Sequence, residues 1–180
     1  MVVLDEALVD FAVPGQRDAT LHLLEDHPRL LVVRTFSKAW GLAGLRCGYA
    51  LDGPGAESLL ERLAPPLGLG ELAQAGALEA LRSTAELFAR RARTVAGERD
   101  ALTRRLRSLG LDVTDSEANV LWVAAPGLDG PALHEALAGS QIAVMAGTRL
   151  GDREHVRITV HDARASDRLV RALEPLVRGA

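Results

Sequence analysis

The chain has 180 residues, 48% of them apolar, and a formal net charge of −3, enough to bury the core of one domain or of two small ones. Its basic residues are interspersed with acidic ones along helical stretches, which speaks against a polyanion partner such as nucleic acid; no apolar run is long enough to cross a membrane, and MVVLDEALVDF has acids where a signal peptide has basic residues, so a cytoplasmic protein is expected. The single cysteine, Cys47, leaves no internal disulfide and no multi-cysteine metal site.

In chain order, VVLDEA reads as a short buried strand ending in acids, and a core strand at that place needs partners to pair with. FAVPGQRDA supplies Pro and Gly for a loop. A short amphipathic helix follows over 19–26 and ends at His27-Pro28, because the residue before proline avoids helical angles. LLVVRTF (30–36) is a continuous apolar strand of the kind found inside parallel sheets, SKAWGLAGLR is a loop, and CGYAL is the next strand. Strand, helix, strand is the signature of a βαβ unit. A helix is expected over 56–63, PPLGLG interrupts, and 71–109 is helical by periodicity with a break near Arg82-Ser83-Thr84, where Ser and Thr cap well. Gly110 closes that helix. Beyond it the pattern is strand (LDVT), strand (NVLWVAA), helix (PALHEALAG), strand (IAVM), strand (HVRITV) and helix (ASDRLVRALEPLV), an α+β unit with an antiparallel sheet. The fold class is therefore α/β, with residues 1–83 as a parallel-type βα sheet portion and 84–180 as a small α+β domain.

The chemistry is concentrated in RTFSKAWGLAGLRCGY. A lysine just after a buried strand can be partly desolvated, which favours the neutral amine needed to attack an aldehyde. The hydroxyls of Thr35 and Ser37, with Arg46 after a glycine-rich turn, suit a phosphate. Read without any family, the same stretch is also compatible with an ordinary polar loop. His22, His27, His134, His155 and His161 show no metal-ligand spacing, so no metal is expected. Cys47 reads as a buried, inert thiol, Trp40 as packing on the wall of the lysine loop and Trp122 as core.

Ser37-Lys38 followed by Gly41-Leu42-Ala43-Gly44-Leu45-Arg46 and Gly48-Tyr49 resembles the cofactor-lysine motif of fold-type I pyridoxal-phosphate (PLP) aminotransferases, histidinol-phosphate aminotransferases in particular. VVLDEALVDF resembles the family strand ending in Asp-Glu-Ala-Tyr, SEANVLW its Ser-x-Ala-Asn-Phe strand and VRITV its terminal strand, in the family's order. The resemblance implies PLP as cofactor, Lys38 as its covalent attachment point and proton shuttle, and Asp5 opposite the pyridine nitrogen. It implies Thr35, Ser37 and Arg46 on the phosphate, and Arg157 on the substrate carboxylate. The implied reaction moves an amino group between an amino acid or amino-alcohol phosphate and a 2-oxo acid.

Two positions depart from the family pattern: Leu8 stands where the family has a tyrosine that donates to the cofactor's phenolic oxygen, and PPLGLG, with Leu67 and Gly68, replaces Pro-Pro-Tyr-Asn-Val. Family members are also about twice as long, the other half carrying a phosphate cup and the aromatic that stacks on the ring. The alternatives are a non-catalytic remnant or a subunit of a split enzyme, and a PLP decarboxylase of the threonine-phosphate type, which Ala43-Gly44 fits less well. The expected partner is a second copy in a homodimer or a complementing amino-terminal half.

Overall fold

The computed structural model describes all residues except 13–16, 65, 84 and 179–180. The centre of the first expected loop and the boundary residue Thr84 lie outside the described residues. The chain divides into two compact units, Met1–Arg93 and Thr94–Ala180.

The first unit is built on a three-stranded sheet in the order β1 (Val2–Asp5), β2 (Leu30–Thr35), β3 (Gly48–Asp52). β1 and β2 are parallel, with Asp5 opposite Val33, and are joined by a crossover holding the single-turn helix α1 (Leu23–Asp26). Being the middle strand, β2 is covered on both faces, with Leu31 and Val32 fully buried, which explains its unbroken apolar run. β3 departs from the parallel pattern: it runs antiparallel to β2, with Thr35 opposite Gly48. The twelve residues 36–47 hold tight turns and one short 3-10 turn, Ala43–Leu45, but no crossover helix, so the chain folds straight back. The helices α2 (Glu57–Leu63), α3 (Glu71–Ser83) and the first part of α4 (Ala85–Ser108) complete the unit. Among them, Ala73 and Ala77 of α3 pack under the lysine loop with Phe36 and Cys47.

The second unit is a four-stranded antiparallel sheet in the order β4 (Asp112–Val113), β5 (Val120–Ala124), β7 (Val156–Thr159), β6 (Met145–Ala146), with helices α5 (Gly130–Gly139) and α6 (Ala163–Arg178). α4 ends where Gly110 adopts φ +87°, a conformation costly for any side-chain-bearing residue, and the Leu111 N–H returns to the Leu106 carbonyl. Asp129 caps α5 by accepting the Ala132 N–H at 2.9 Å, with proline just inside the first turn. Leu121 and Val123 of β5 turn into the core against Leu133, Leu137, Val156 and Leu173. Period-2 alternation then puts Trp122 on the opposite face, half-buried, so the core position expected for it is corrected. Among the described residues no helix is long and apolar enough to cross a membrane, and no group of His, Cys, Asp and Glu could hold a metal ion.

Candidate active site

Parallel pairing of β1 and β2 brings their carboxyl ends to one edge of the sheet, and the antiparallel return of β3 begins at that same edge. Asp5 closes β1, Thr35 closes β2 with Ser37 and Lys38 just beyond it, and Arg46 stands two residues before β3. Five residues singled out in the sequence thus share one edge of the first unit. Arg157 belongs to the second unit, in β7, opposite Trp122 of β5 and Met145 of β6.

Local hydrogen bonds shape the lysine loop. The Thr35 hydroxyl donates to the Cys47 carbonyl at 3.3 Å and accepts the Ser37 N–H at 3.1 Å, so it is already engaged in holding the loop to β3. Phe36 N–H bonds the Cys47 carbonyl, Leu42 N–H bonds the Phe36 carbonyl, and Gly41 N–H closes a turn onto the Lys38 carbonyl at 2.9 Å. Lys38 itself is exposed. The partial desolvation expected for it is not supplied by the described residues of this chain, because strand β2 ends before the lysine and only Ala39 turns inward. Arg46, at φ +51°, donates through Nη1 to the Ala43 carbonyl at 2.9 Å and is exposed. The Asp5 carboxylate accepts the Ala7 N–H at 2.9 Å. Cys47 is buried, as expected.

Immediately behind this edge lies an ionic cluster that sequence reading missed. Glu6 and Arg34, both buried, pair at 2.8 Å; Arg34 also bonds Asp18 at 3.1 Å and the Arg17 carbonyl, and Thr20 donates to Glu6. Burial works to lower the Arg34 pKa, but bonds to Glu6, Asp18 and Tyr49 outweigh it and hold the guanidinium charge more firmly than usual. The Asp10 pKa, beside Arg17 at 2.8 Å, is also raised, but here burial prevails over the pull of that arginine and favours the neutral form. The sequence carried half of the signal: an arginine inside the buried run LLVVRTF calls for a carboxylate, but that the partner would be Glu6, just past the end of β1, depends on how the strands pair.

In the second unit the Nε of Arg157 is enclosed with no hydrogen-bond partner, and so is the Oδ1 of Asn119 just ahead of β5. A buried guanidinium N–H calls for a hydrogen-bond acceptor. On the same face as Arg157, Trp122 Nε1 donates to Asp152 at 2.8 Å, and His155 lies 2.9 Å from that carboxylate with its ring stacked along Trp122. That bond from Trp122, followed by those from the Glu154 and His155 amides and the His155 ring, outweighs burial and brings the Asp152 pKa down to about 2.

The chain is similar to known proteins along almost its whole length. An aromatic amino acid aminotransferase from Cutibacterium acnes is 37% identical over 179 residues, covering 99% of this chain and 49% of that protein. A histidinol-phosphate aminotransferase from Sinorhizobium meliloti, solved in complex with pyridoxal-5'-phosphate, superposes with a TM-score of 0.82 at 29% identity, over 99% of this chain and 49% of that one. The enzyme of the same description from Clostridium acetobutylicum gives 0.89 at 19% identity, over 100% and 55%, a likeness of fold alone. The chain spans about half the length of the relatives it matches. Its α/β first unit and α+β second unit are those of a fold-type I PLP transferase, and residues 1–173 match the model for aminotransferase class I and II. The chain belongs to the aminotransferase class I and II family.

Proposed function

We propose that this chain forms the lysine-bearing half of a PLP-dependent aminotransferase, moving an amino group between an amino acid or an amino-alcohol phosphate and a 2-oxo acid. The observation that carries the reading is the sheet edge at which Asp5 ends β1, the chain's single lysine follows β2 and Arg46 precedes β3. That donor set fits PLP: an amine for the aldehyde, a carboxylate for the ring nitrogen, and a cation with the Ser37 hydroxyl for the phosphate. When bound, PLP supplies an electron sink for the charge left on the substrate's α-carbon. Lys38 Nζ would anchor the cofactor and, once displaced, take the proton from that carbon and return it. Asp5 would keep a proton on the ring nitrogen. Thr35 supports the site through the loop it ties to Cys47. The unpaired Nε of Arg157 supports a role in holding the substrate carboxylate or its acidic equivalent. The division of the chain into residues 1–83 of a large domain and 84–180 of a small one is part of the same reading.

The partner we propose is an amino-terminal half that continues the sheet past β1. Val2 and Val3 are 61% and 53% exposed at that edge, beside an apolar groove of about 560 Å³ lined by Met1, Leu4, Leu23, Pro28 and Leu30, and relatives are about twice as long as this chain. Site contacts from that half are absent from the chain, so PLP alone is expected to be held weakly. The test is incubation with PLP, borohydride reduction and peptide mapping. Lys38 should carry the pyridoxyl label and Lys38→Ala should retain label only at the amino terminus. A wild-type chain labelled only at its amino terminus would sink the assignment of Lys38.

A further inference from the structure

The turn that presents Lys38 is held from outside its own loop. Arg91 of α4 donates through Nη1 to the Ala39 carbonyl at 2.8 Å. Three residues earlier, on the same face of that helix, Phe88 stacks on Trp40 with ring centroids 4.2 Å apart and planes 22° from parallel. The Arg17 guanidinium lies over both rings, 5.0 Å from Phe88 and 5.9 Å from Trp40, a cation–π arrangement that closes the stack. Gly41 is at φ +76°, and a Cβ there would come within 2.5 Å of Arg91 Nη1, so the guanidinium occupies the space that only a glycine leaves.

We propose that Arg91 and Phe88 are positioning residues for Lys38: α4 grips the Lys38–Gly41 turn at the Ala39 carbonyl and the Trp40 ring, and so fixes the direction in which the lysine amine is offered. Neither residue touches cofactor or substrate in this assignment; both act through the backbone on either side of Lys38. The inference rests on the reading of Lys38 as the cofactor lysine, but the grip itself is measurable without PLP.

Because Lys38 is the chain's only lysine, a lysine-specific endoprotease has one cleavage site, and its rate reads the local opening of this turn. Arg91→Ala should be cut at least roughly tenfold faster than wild type, as expected for losing one partly buried charged hydrogen bond. Phe88→Ala should show a similar gain, Arg91→Lys should restore much of the protection, and thermal melting should identify any gain that comes from global unfolding instead. The second readout is the pH profile of pyridoxyl labelling after borohydride trapping, with the amino-terminal label as internal reference. Arg91→Ala should change the Lys38 profile relative to that reference, and Arg91→Lys should recover it. Should Arg91→Ala fail to fold, Phe88→Leu gives the same comparison. Wild-type cleavage rates in folded Arg91→Ala and Phe88→Ala would overturn the grip. Absence of label at Lys38 in the wild type would instead remove the function proposed above while the cleavage rates still decided the grip.

Discussion

Thr94–Ala180 closes on one continuous core, in which Leu106, Leu121, Leu133, Leu137, Val156 and Leu173 are completely buried. Among the described residues of Met1–Arg93 the buried apolar side chains include two small clusters, around Phe36 and around Val32, while others such as Leu31 and Phe11 lie outside both. Among the described residues, every exposed large hydrophobic except Leu150 belongs to the first unit; Leu67 and Leu72 are the extremes, at 98% and 86%. The two units therefore do different work. The second satisfies its own hydrophobic demand, whereas the first carries the lysine edge on a sheet whose β1 side and helical surface offer apolar area to a cover, and exposed patches of that kind mark interaction surfaces.

The comparison predicts very different costs for the same kind of change. Leu121→Ala removes a fully buried side chain from a closed core and should destabilise the second unit by about 3 kcal/mol, read as a shift in urea midpoint. Val3→Ala, at the open edge of β1, should cost the isolated chain no more than about 0.5 kcal/mol. Its effect should appear instead on association with an amino-terminal half. If both substitutions cost the same, the first unit is as self-contained as the second and the open-edge reading fails.

The first unit also holds a buried ionic cluster, which gives a second expectation of similar size. Arg34→Ala strands the buried Glu6 carboxylate and releases Asp18 and the Arg17 carbonyl, a loss of about 3 kcal/mol by analogy with other broken buried pairs. Glu6→Gln keeps the shape and one hydrogen bond, so about 1 to 2 kcal/mol is expected. Chemical denaturation of the two variants, followed by the fluorescence of Trp40 in the first unit, checks the ordering; an Arg34→Ala chain as stable as wild type would mean that the cluster only compensates its own desolvation.

Much of this was legible in the sequence because it depended on local pattern. The continuous apolar run of β2, the loop after it, the glycine at 110 and the alternation in the second unit each follow from short-range rules of burial and backbone geometry. What was not legible depended on which elements meet. The direction of β3 follows from the turns of the lysine loop, which form no crossover helix. The outward face of Trp122 follows from which of its neighbours the helices cover. The pairing of Arg34 with Glu6, and of Arg91 with the Ala39 carbonyl, spans 28 and 52 residues of sequence, and periodicity carries no information at that separation. The exposed state of Lys38 belongs to the same class: desolvation is a property of whatever covers the sheet edge.

The smallest expected effect lies in the second unit and turns on pH. Asp152 titrates at about 2 in the folded chain against 3.8 for its ordinary value, chiefly because the Trp122 indole N–H donates to it. A carboxyl whose folded pKa is depressed adds stability above its unfolded pKa and loses that contribution as pH falls through the folded value. The window is therefore about pH 4 down to about pH 2. Trp122→Phe keeps an aromatic ring for His155 to stack on but removes the indole donor, so the folded value should return toward 3.8 and the charge-linked part of the stability should be lost. The variant should then be less stable than wild type by a constant margin above about pH 4, and that margin should narrow as the pH is lowered to about 2, because below both values neither protein gains from the ionised carboxylate. Denaturant midpoints at a series of acidic pH values read this directly. A gap that stays constant down to the lowest pH would assign the cost of Trp122→Phe to packing and leave the Asp152 bond with no part in it; a gap that narrows would show that even the self-contained unit keeps a charge-dependent tie on the face that bears Arg157.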